Sequence, residues 1–229
     1  MANILQIETA TPVCSVAISV NGETVALVEE SAQNIHASKL TLFIDEAMKQ
    51  AGISYKQLDA VAVSKGPGSY TGLRIGVSTA KGLCFALDKP LIAIGTLKMM
   101  ANGFLKAHPN YGGLICPMID ARRMEVFTSV YDNKLQEIEI VNAKIVDEKS
   151  FILELDEHYV TFIGDGAEKC KQVLSHPNAH FNTNNFNSAA HMSSLEYNAF
   201  NNGNYEDVAY FEPFYLKDFV FTTPKNKTV

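Results

Sequence analysis

The 229-residue chain has 47% hydrophobic residues, 19% charged residues and a formal net charge of −6. These values are typical of a soluble globular protein with one large or two small domains, and they make a disulfide or metal staple unnecessary. The acidic balance disfavours a protein that grips nucleic acid unaided, because phosphate binding requires a basic face. A local basic patch is still compatible with it.

Neither secretion nor membrane insertion is indicated. The N-terminal sequence lacks the basic start and apolar core of a signal peptide, and no run reaches the roughly 18 apolar residues of a membrane helix. Four separated cysteines without a CxxC pair indicate buried thiols in a reducing compartment, although a cysteine nucleophile or zinc ligand stays an alternative. We therefore expect a cytoplasmic protein.

The first half of the chain reads as three strands followed by alternating helices and strands. Asn21 and Gly22 suit the tight turn of a hairpin that joins the second predicted strand to the third. Apolar residues then recur every three or four positions, which is typical of an amphipathic helix that Gly52 ends. The predicted strands are 4–8, 13–20, 24–28, 58–66 and 90–96, and the predicted helices are 36–51, 71–86 and 97–106.

The second half repeats this order of elements. The predicted strands are 114–120, 124–132, 135–141 and 159–163, with a turn at 132–134, and the predicted helices are 164–174 and a segment ending near residue 200 after a polar loop at 182–189. An aromatic tail at 208–219 is expected to pack back on the body. The shared order predicts an α/β protein of two similar units with mixed sheets, divided as 1–105 and 106–229.

A glycine-rich segment, SKGPGSYTGLRIG, precedes the predicted helix at 71–86. Its glycine spacing fits neither the Walker loop nor GxGxxG. Gly68, Ser69 and Thr71 nevertheless offer N–H groups and hydroxyls at a helix start, where the helix dipole favours an anion. Capping of the helix by Ser69 or Thr71 is the alternative interpretation.

Gly72, Gly76 and Ala80 form a stripe of small residues along that helix. A glycine inside a helix costs about 1 kcal/mol relative to alanine, so something must need the bare backbone. Close approach of a helix from another molecule would explain the stripe, and so would packing on the protein's own sheet.

Candidate catalytic groups are few. His36 begins a helix, but Leu40 occupies the position where a metal-binding pair would place a second histidine. Glu8 and Asp120 end the first strand of each unit, and Asp165 follows the last strand of the second. Carboxylates at strand ends suggest a cleft, although capping or turn formation explains each equally well. No nucleophilic triad can be assembled from the spacing.

Several segments occur in order over nearly the whole chain: ILQIETATPVCSVAI, IHASKL, LDAVAVSKGPGSYTGLRIGVSTAKGL, IGTLKMMA, PMIDARRMEVFTSVY and PFYLKDF. Together they resemble the TsaB (YeaZ) family. The resemblance implies an actin-like/Hsp70-like ATPase (ASKHA) fold with two ribonuclease-H-like halves. It also implies a role in forming threonylcarbamoyladenosine beside the anticodon of tRNAs that read ANN codons.

The same resemblance implies a non-catalytic partner of the transferase TsaD, with ATP handled by the ATPase TsaE. In that family TsaD holds a metal with HxxxH, whereas Leu40 interrupts the motif here, and Glu8 replaces the usual aspartate. We expect no metal or cofactor of its own, with ATP or ADP in the assembled complex near Glu8, Gly68, Ser69, Thr71 and Asp120. An ATP-binding or peptidase-like enzyme of the same superfamily is the alternative.

The resemblance further implies that helices 35–50 and 71–86 pair with TsaD, or with a second copy when the chain is alone, as a four-helix bundle. tRNA would be bound only through the complex, and no membrane is involved. If the small-residue stripe is the contact, Gly76→Leu should abolish TsaD co-elution without unfolding the chain. The expected interface residues are His36, Lys39, Leu40, Phe43, Gly72, Leu73, Gly76, Val77 and Ala80.

Overall fold

The computed structural model describes residues 1–217. Its first half comprises β1 (Asn3–Glu8), β2 (Val13–Val20), β3 (Glu23–Ser31), α1 (His36–Ala51), β4 (Ala60–Gly66), α2 (Tyr70–Leu87), β5 (Leu91–Gly95) and α3 (Thr96–Ala107). The second half comprises β6 (Leu114–Asp120), β7 (Glu125–Tyr131), β8 (Glu137–Ile145), α4 (Ile152–Glu157), β9 (Val160–Ile163), α5 (Ala167–Cys170), β10 (Ala179–Asn182) and α6 (Ser193–Asn201). Short 3₁₀ helices lie at Tyr55–Gln57 and Ala189–Met192.

Each half contains its own five-stranded mixed sheet, and the two sheets have the same topology. The first sheet has the order β3-β2-β1-β4-β5, and the second has the equivalent order β8-β7-β6-β9-β10. In each, the first strand pairs antiparallel with the second and parallel with the fourth, as Ile7 does with Val16 and Val63. The predicted duplication of two mixed α/β units is therefore confirmed.

The helices form layers on both faces of the first sheet. α1 and α2 cover one face, where Leu40, Val77 and Ala80 join the sheet residues in one core. α3 packs on the opposite face and fills the space between the two sheets, so that Met100 and Phe104 contact residues from both halves. A third core lies beneath α4 and α5 on the far face of the second sheet.

The C-terminal segment departs from the predicted division at residue 105. α6 and the preceding 3₁₀ helix pack on β1, β2, β3 and β5 of the first sheet. Buried hydrogen bonds fix this arrangement, because the Gln6 side-chain amide donates to Glu196 at 2.6 Å and to Ser193 at 2.8 Å. The last helix thus completes the first half, which a division by sequence order alone gets wrong.

The structure confirms some of the predicted turns and helices and contradicts others. The Asn21-Gly22 turn has positive φ at both residues, and α1 begins and ends as predicted, with Gly52 left-handed at φ 67°. The helix predicted at 164–174 is wrong in extent, because only Ala167–Cys170 is α-helical. The short elements α4 and β10 were missed, and β8 runs four residues beyond its predicted end.

The tail packs back on the body as far as Lys217, as predicted. Its chain pairs with β5 through the Glu206 N–H and Leu91 carbonyl (2.9 Å), and Lys81 donates to the Phe211 carbonyl at 2.9 Å. The Phe214 N–H then donates to the Lys65 carbonyl at 2.7 Å. The remainder of the predicted tail, 218–219, lies outside the described residues.

Candidate functional site

A cleft of about 900 Å³ lies between the two halves. One wall is the turn after β1 together with the glycine-rich loop before α2, and the opposite wall is the loop joining β6 to β7. The tail residues Tyr215, Leu216 and Lys217 line its edge. The cleft therefore brings together four segments that are far apart in sequence.

The glycine-rich loop is shaped by packing on the turn after β1. The Ser69 N–H donates to the Ala10 carbonyl at 2.7 Å, and the Ser69 hydroxyl caps α2 by accepting from the Gly72 N–H at 3.3 Å. A Cβ on Gly68 would clash with Ala10, so only glycine fits this approach. Ser69 is the helix cap, as one interpretation predicted, while Thr71 is exposed in the first turn.

Glu8 is fully buried behind Ala10 and does not line the cleft. One carboxylate oxygen accepts from the Ala10 N–H at 2.5 Å, whereas the other has no partner among the described residues. Burial raises the pKa of Glu8 to about 7, against the opposing effect of that hydrogen bond. Glu8 is therefore held inside the first half, apart from the residues that line the cleft.

Two other predicted carboxylates do meet at the cleft. Asp120 accepts from the Lys169 ammonium at 2.6 Å and from the Arg122 N–H at 2.7 Å. Burial acts to raise its pKa, but these partners outweigh burial and lower it. Asp165 accepts from the Asp120 N–H at 3.0 Å, and burial raises its pKa. Both carboxylates are thus engaged with neighbours in their own half.

His36 is used in folding. It is buried, its Nε2 lies 2.8 Å from the Thr11 carbonyl oxygen, and burial lowers its pKa. Leu40, one turn later, belongs to the core. Over residues 1–217, no three His, Cys, Asp or Glu side chains come close enough to share a metal ion. The four cysteines are buried free thiols, as their apolar sequence settings predicted.

The small-residue stripe of α2 faces the protein's own interior, so the prediction that it is offered to a partner is wrong. A Cβ on Gly72 would clash with the Thr9 carbonyl, and one on Gly76 would clash with the Thr9 hydroxyl. Other predicted interface residues are likewise buried in the core of this chain: His36, Leu40, Leu73, Val77 and Ala80. Of the predicted set, Lys39 is exposed and Phe43 is partly exposed.

Two large apolar side chains on the outward side of the same two helices are exposed, which the sequence interpretation missed. Phe85 of α2 is 86% exposed and Leu42 of α1 is 57% exposed. Ile75 is partly buried and packs on the core, and a Cβ on Gly82 would meet no atom within 4 Å. We call these four residues the outer surface. The signal available in the sequence was that Leu42 and Phe85 fall outside the inward-facing helical period.

Comparison with known proteins identifies relatives over most of the chain. The family model of TsaD, tRNA N6-adenosine threonylcarbamoyltransferase, matches residues 24–223. The tRNA threonylcarbamoyladenosine biosynthesis protein TsaB of Bacillus subtilis is 31% identical over 176 residues, which cover 75% of this chain and 74% of that protein. The TsaB of Haemophilus influenzae is 38% identical over 126 residues, or 55% of this chain and about half (52%) of that protein.

A solved structure shows the same architecture. A Pseudomonas aeruginosa protein described as similar to peptidase YeaZ superposes with a TM-score of 0.82 and 25% identity, covering 95% of this chain and all of that chain (100%). With the duplicated strand order, this confirms the predicted ASKHA-type fold of two ribonuclease-H-like halves. None of the helices within residues 1–217 combines the length and apolar character that crossing a membrane requires.

Proposed function

This chain belongs to the TsaB family of tRNA threonylcarbamoyladenosine biosynthesis proteins, and from that premise we propose that it is a non-catalytic subunit that binds and activates TsaD. TsaD would carry out the transfer to ANN-decoding tRNA in the cytoplasm, and TsaE would handle ATP. The match of the TsaD family model to residues 24–223 supports pairing between two related folds.

The outer surface carries this proposal. Large apolar side chains that stand in solvent on neighbouring helices mark protein–protein contact sites, and aromatic residues often dominate the binding energy there. Phe85 is the most exposed of the large apolar residues on α1 and α2, and Gly82 beside it leaves room for a close helix. The same surface would pair two copies of this chain when TsaD is absent.

The proposed non-catalytic role is supported by the structural contacts that the candidate catalytic side chains make. His36 bonds to the backbone, Leu40 lies in the core, and Glu8 is sealed behind Ala10. Asp120 and Asp165 hold the loop and Lys169. We place ATP or ADP in the assembled complex rather than on this chain alone. The alternative, an ATP-binding or peptidase-like enzyme, would need a reactive group free of these structural roles.

The subunit hypothesis is tested by measuring transfer of radiolabelled threonylcarbamoyl to tRNA. We expect no transfer by this chain alone and strong stimulation when TsaD and TsaE are added. Transfer by this chain without TsaD would overturn the proposal and favour the enzyme alternative.

The surface is tested with Phe85→Asp and Leu42→Asp, which place a charge where an apolar contact is expected. Each should reduce TsaD co-elution and stimulated transfer at least roughly tenfold, because burying an unpaired carboxylate is costly. The matched control is Leu153→Asp, at a side chain of α4 that is 77% exposed. All three variants should keep the circular dichroism of the native chain. Unchanged TsaD binding by Phe85→Asp and Leu42→Asp would reject the outer surface as the contact.

A further inference from the structure

The arginines of this chain converge on one place. The sequence contains three arginines, Arg74, Arg122 and Arg123, in two distant segments. Arg122 and Arg123 line the cleft from the β6–β7 loop, and both are exposed with left-handed backbone, at φ 73° and 52°. Arg74 lies over the ring of Tyr70, which lines the cleft from the opposite wall. In a chain of net charge −6, this rim is a local concentration of guanidinium groups.

Within residues 1–217 the two loop arginines form no ion pair, unlike the lysines beside them. Lys169 forms an ion pair with Asp120, and Lys217 forms one with Glu125. Neither Arg122 nor Arg123 has a side-chain hydrogen bond or ion pair with any residue in the 1–217 range that the structure describes. Asp120 and Glu125 are therefore paired with lysines, whereas Arg122 and Arg123 keep two planar, bidentate cations exposed at the cleft.

Aromatic rings accompany these charges. Tyr70 and Tyr215 pack with ring centroids 4.8 Å apart at the edge of the cleft. The Arg74 guanidinium is 5.1 Å from the Tyr70 centroid and donates to the Tyr70 hydroxyl at 2.9 Å. Arginines beside stacked aromatic rings are a common way to hold single-stranded nucleic acid, since the cations contact phosphates and the rings contact bases.

The interior of the cleft is less suited than its rim to binding phosphate groups, such as those of a mononucleotide. The Ser69 N–H is already bonded to Ala10, and the Gly72 N–H is bonded to the Ser69 hydroxyl. Asp120 and Asp165 present carboxylates on the other wall. The unpaired cations lie at the rim instead, where an extended polyanion could cross the opening.

We propose that the rim formed by Arg74, Arg122 and Arg123 with Tyr70 and Tyr215 is a direct contact for a single-stranded segment of tRNA. The inference rests on the proposed function, and it adds a direct contact by this chain to the expectation that tRNA is bound only through the complex. Arg122 and Arg123 contact the phosphodiester backbone, and Tyr215, packed on Tyr70, is the aromatic residue of the rim nearest to a base. Sequence selection is not required of such a contact.

The test uses the complex of this chain with TsaD and an unmodified transcript of an ANN-decoding tRNA. Arg122→Asn combined with Arg123→Asn removes both charges, and asparagine tolerates the left-handed backbone at these positions. Lys134→Asn combined with Lys149→Asn removes two charges from other exposed loops as the matched control. TsaD co-elution is measured separately for every variant.

We expect the arginine variant to weaken tRNA binding roughly tenfold at moderate salt and to reduce the slope of log K against log salt by about 1.5, as for two lost phosphate contacts. The lysine control should match the native complex. Equal tRNA binding by the two variants would overturn the inference while leaving the proposed function intact. So would loss of ATP binding by the arginine variant with tRNA binding unchanged. Failure of the native chain to bind TsaD would instead contradict the proposed function.

Discussion

Gly76 and Gly82 provide a matched pair for testing how α2 is anchored, because both lie inside the same helix and both have ordinary helical backbone. At Gly82 an added methyl group meets no atom within 4 Å. At Gly76 it meets the Thr9 hydroxyl, with Thr9 Cβ and Cγ2 at 3.4 Å. The substitutions Gly76→Ala and Gly82→Ala therefore differ only in what the new methyl group contacts.

The expected magnitudes follow from these surroundings. Alanine gains up to about 1 kcal/mol over glycine in a helix interior, and Gly82→Ala should keep that gain. At Gly76, overpacking costs about 1–3 kcal/mol. Thr9 is fully buried and its hydroxyl donates to the Gly72 carbonyl at 2.8 Å, so moving it aside loses a further 0.5–1.5 kcal/mol, roughly. Gly76→Ala should thus be destabilised by about 1–3 kcal/mol.

The assay is thermal and urea unfolding of both variants, followed by far-UV circular dichroism. For a chain of this size 1 kcal/mol shifts the midpoint temperature by about 2–4 °C, so the two variants should differ by roughly 5–15 °C. Gly76→Ala as stable as Gly82→Ala would show that the stripe is not packed against Thr9. The larger Gly76→Leu should unfold the chain, in contrast to the selective loss of partner binding that the sequence suggested.

Two further predictions concern polar side chains. Burial raises the pKa of Glu196 from 4.5 to about 8. The contribution of this protonated carboxyl to the free energy of unfolding is therefore complete below pH 4.5 and is lost as the pH rises towards 8. Glu196→Gln should flatten the decline of unfolding free energy over that range, though Glu8 retains a smaller decline of the same sign; identical pH profiles would contradict this. Ser69→Ala removes the cap of α2 and should cost about 1 kcal/mol in urea unfolding, whereas Thr71→Ala, without a capping bond, should cost less.

Elements with strong local signals were predictable. α1 combines a regular apolar period with a left-handed Gly52 at its end, and the Asn21-Gly22 turn requires positive φ that these residues tolerate. β10 has no such signal, because AHFN is short and only its parallel pairing with β9 makes it a strand. The placement of α6 is likewise decided by distant groups, chiefly Gln6 and Ser19 around Glu196.

The site was harder to predict than the fold. A stripe of small residues indicates that another part of the structure packs closely on the helix, but it does not indicate whether that part belongs to the same chain or to a partner. The structure shows that the close neighbour of Gly72 and Gly76 is Thr9, in the turn that follows β1. Phe85 and Leu42 are visible in the sequence as large apolar residues, but single apolar residues on a helix are common on protein surfaces and become informative only once their exposure is known. The rim arginines required the β6–β7 loop to be placed opposite α2.

The buried stripe and the exposed Phe85 lie on different sides of α2, and this has a mechanical consequence. Thr9 fixes α2 from within, and the adjacent Ala10 carbonyl fixes the loop that leads into it. The same loop forms a wall of the cleft. A partner that binds Phe85 would therefore be held in a set orientation relative to this wall of the cleft. An RNA strand on the rim and a catalytic subunit on the outer surface would accordingly keep a constant geometry, which is what a non-catalytic subunit can contribute to a reaction performed by its neighbour.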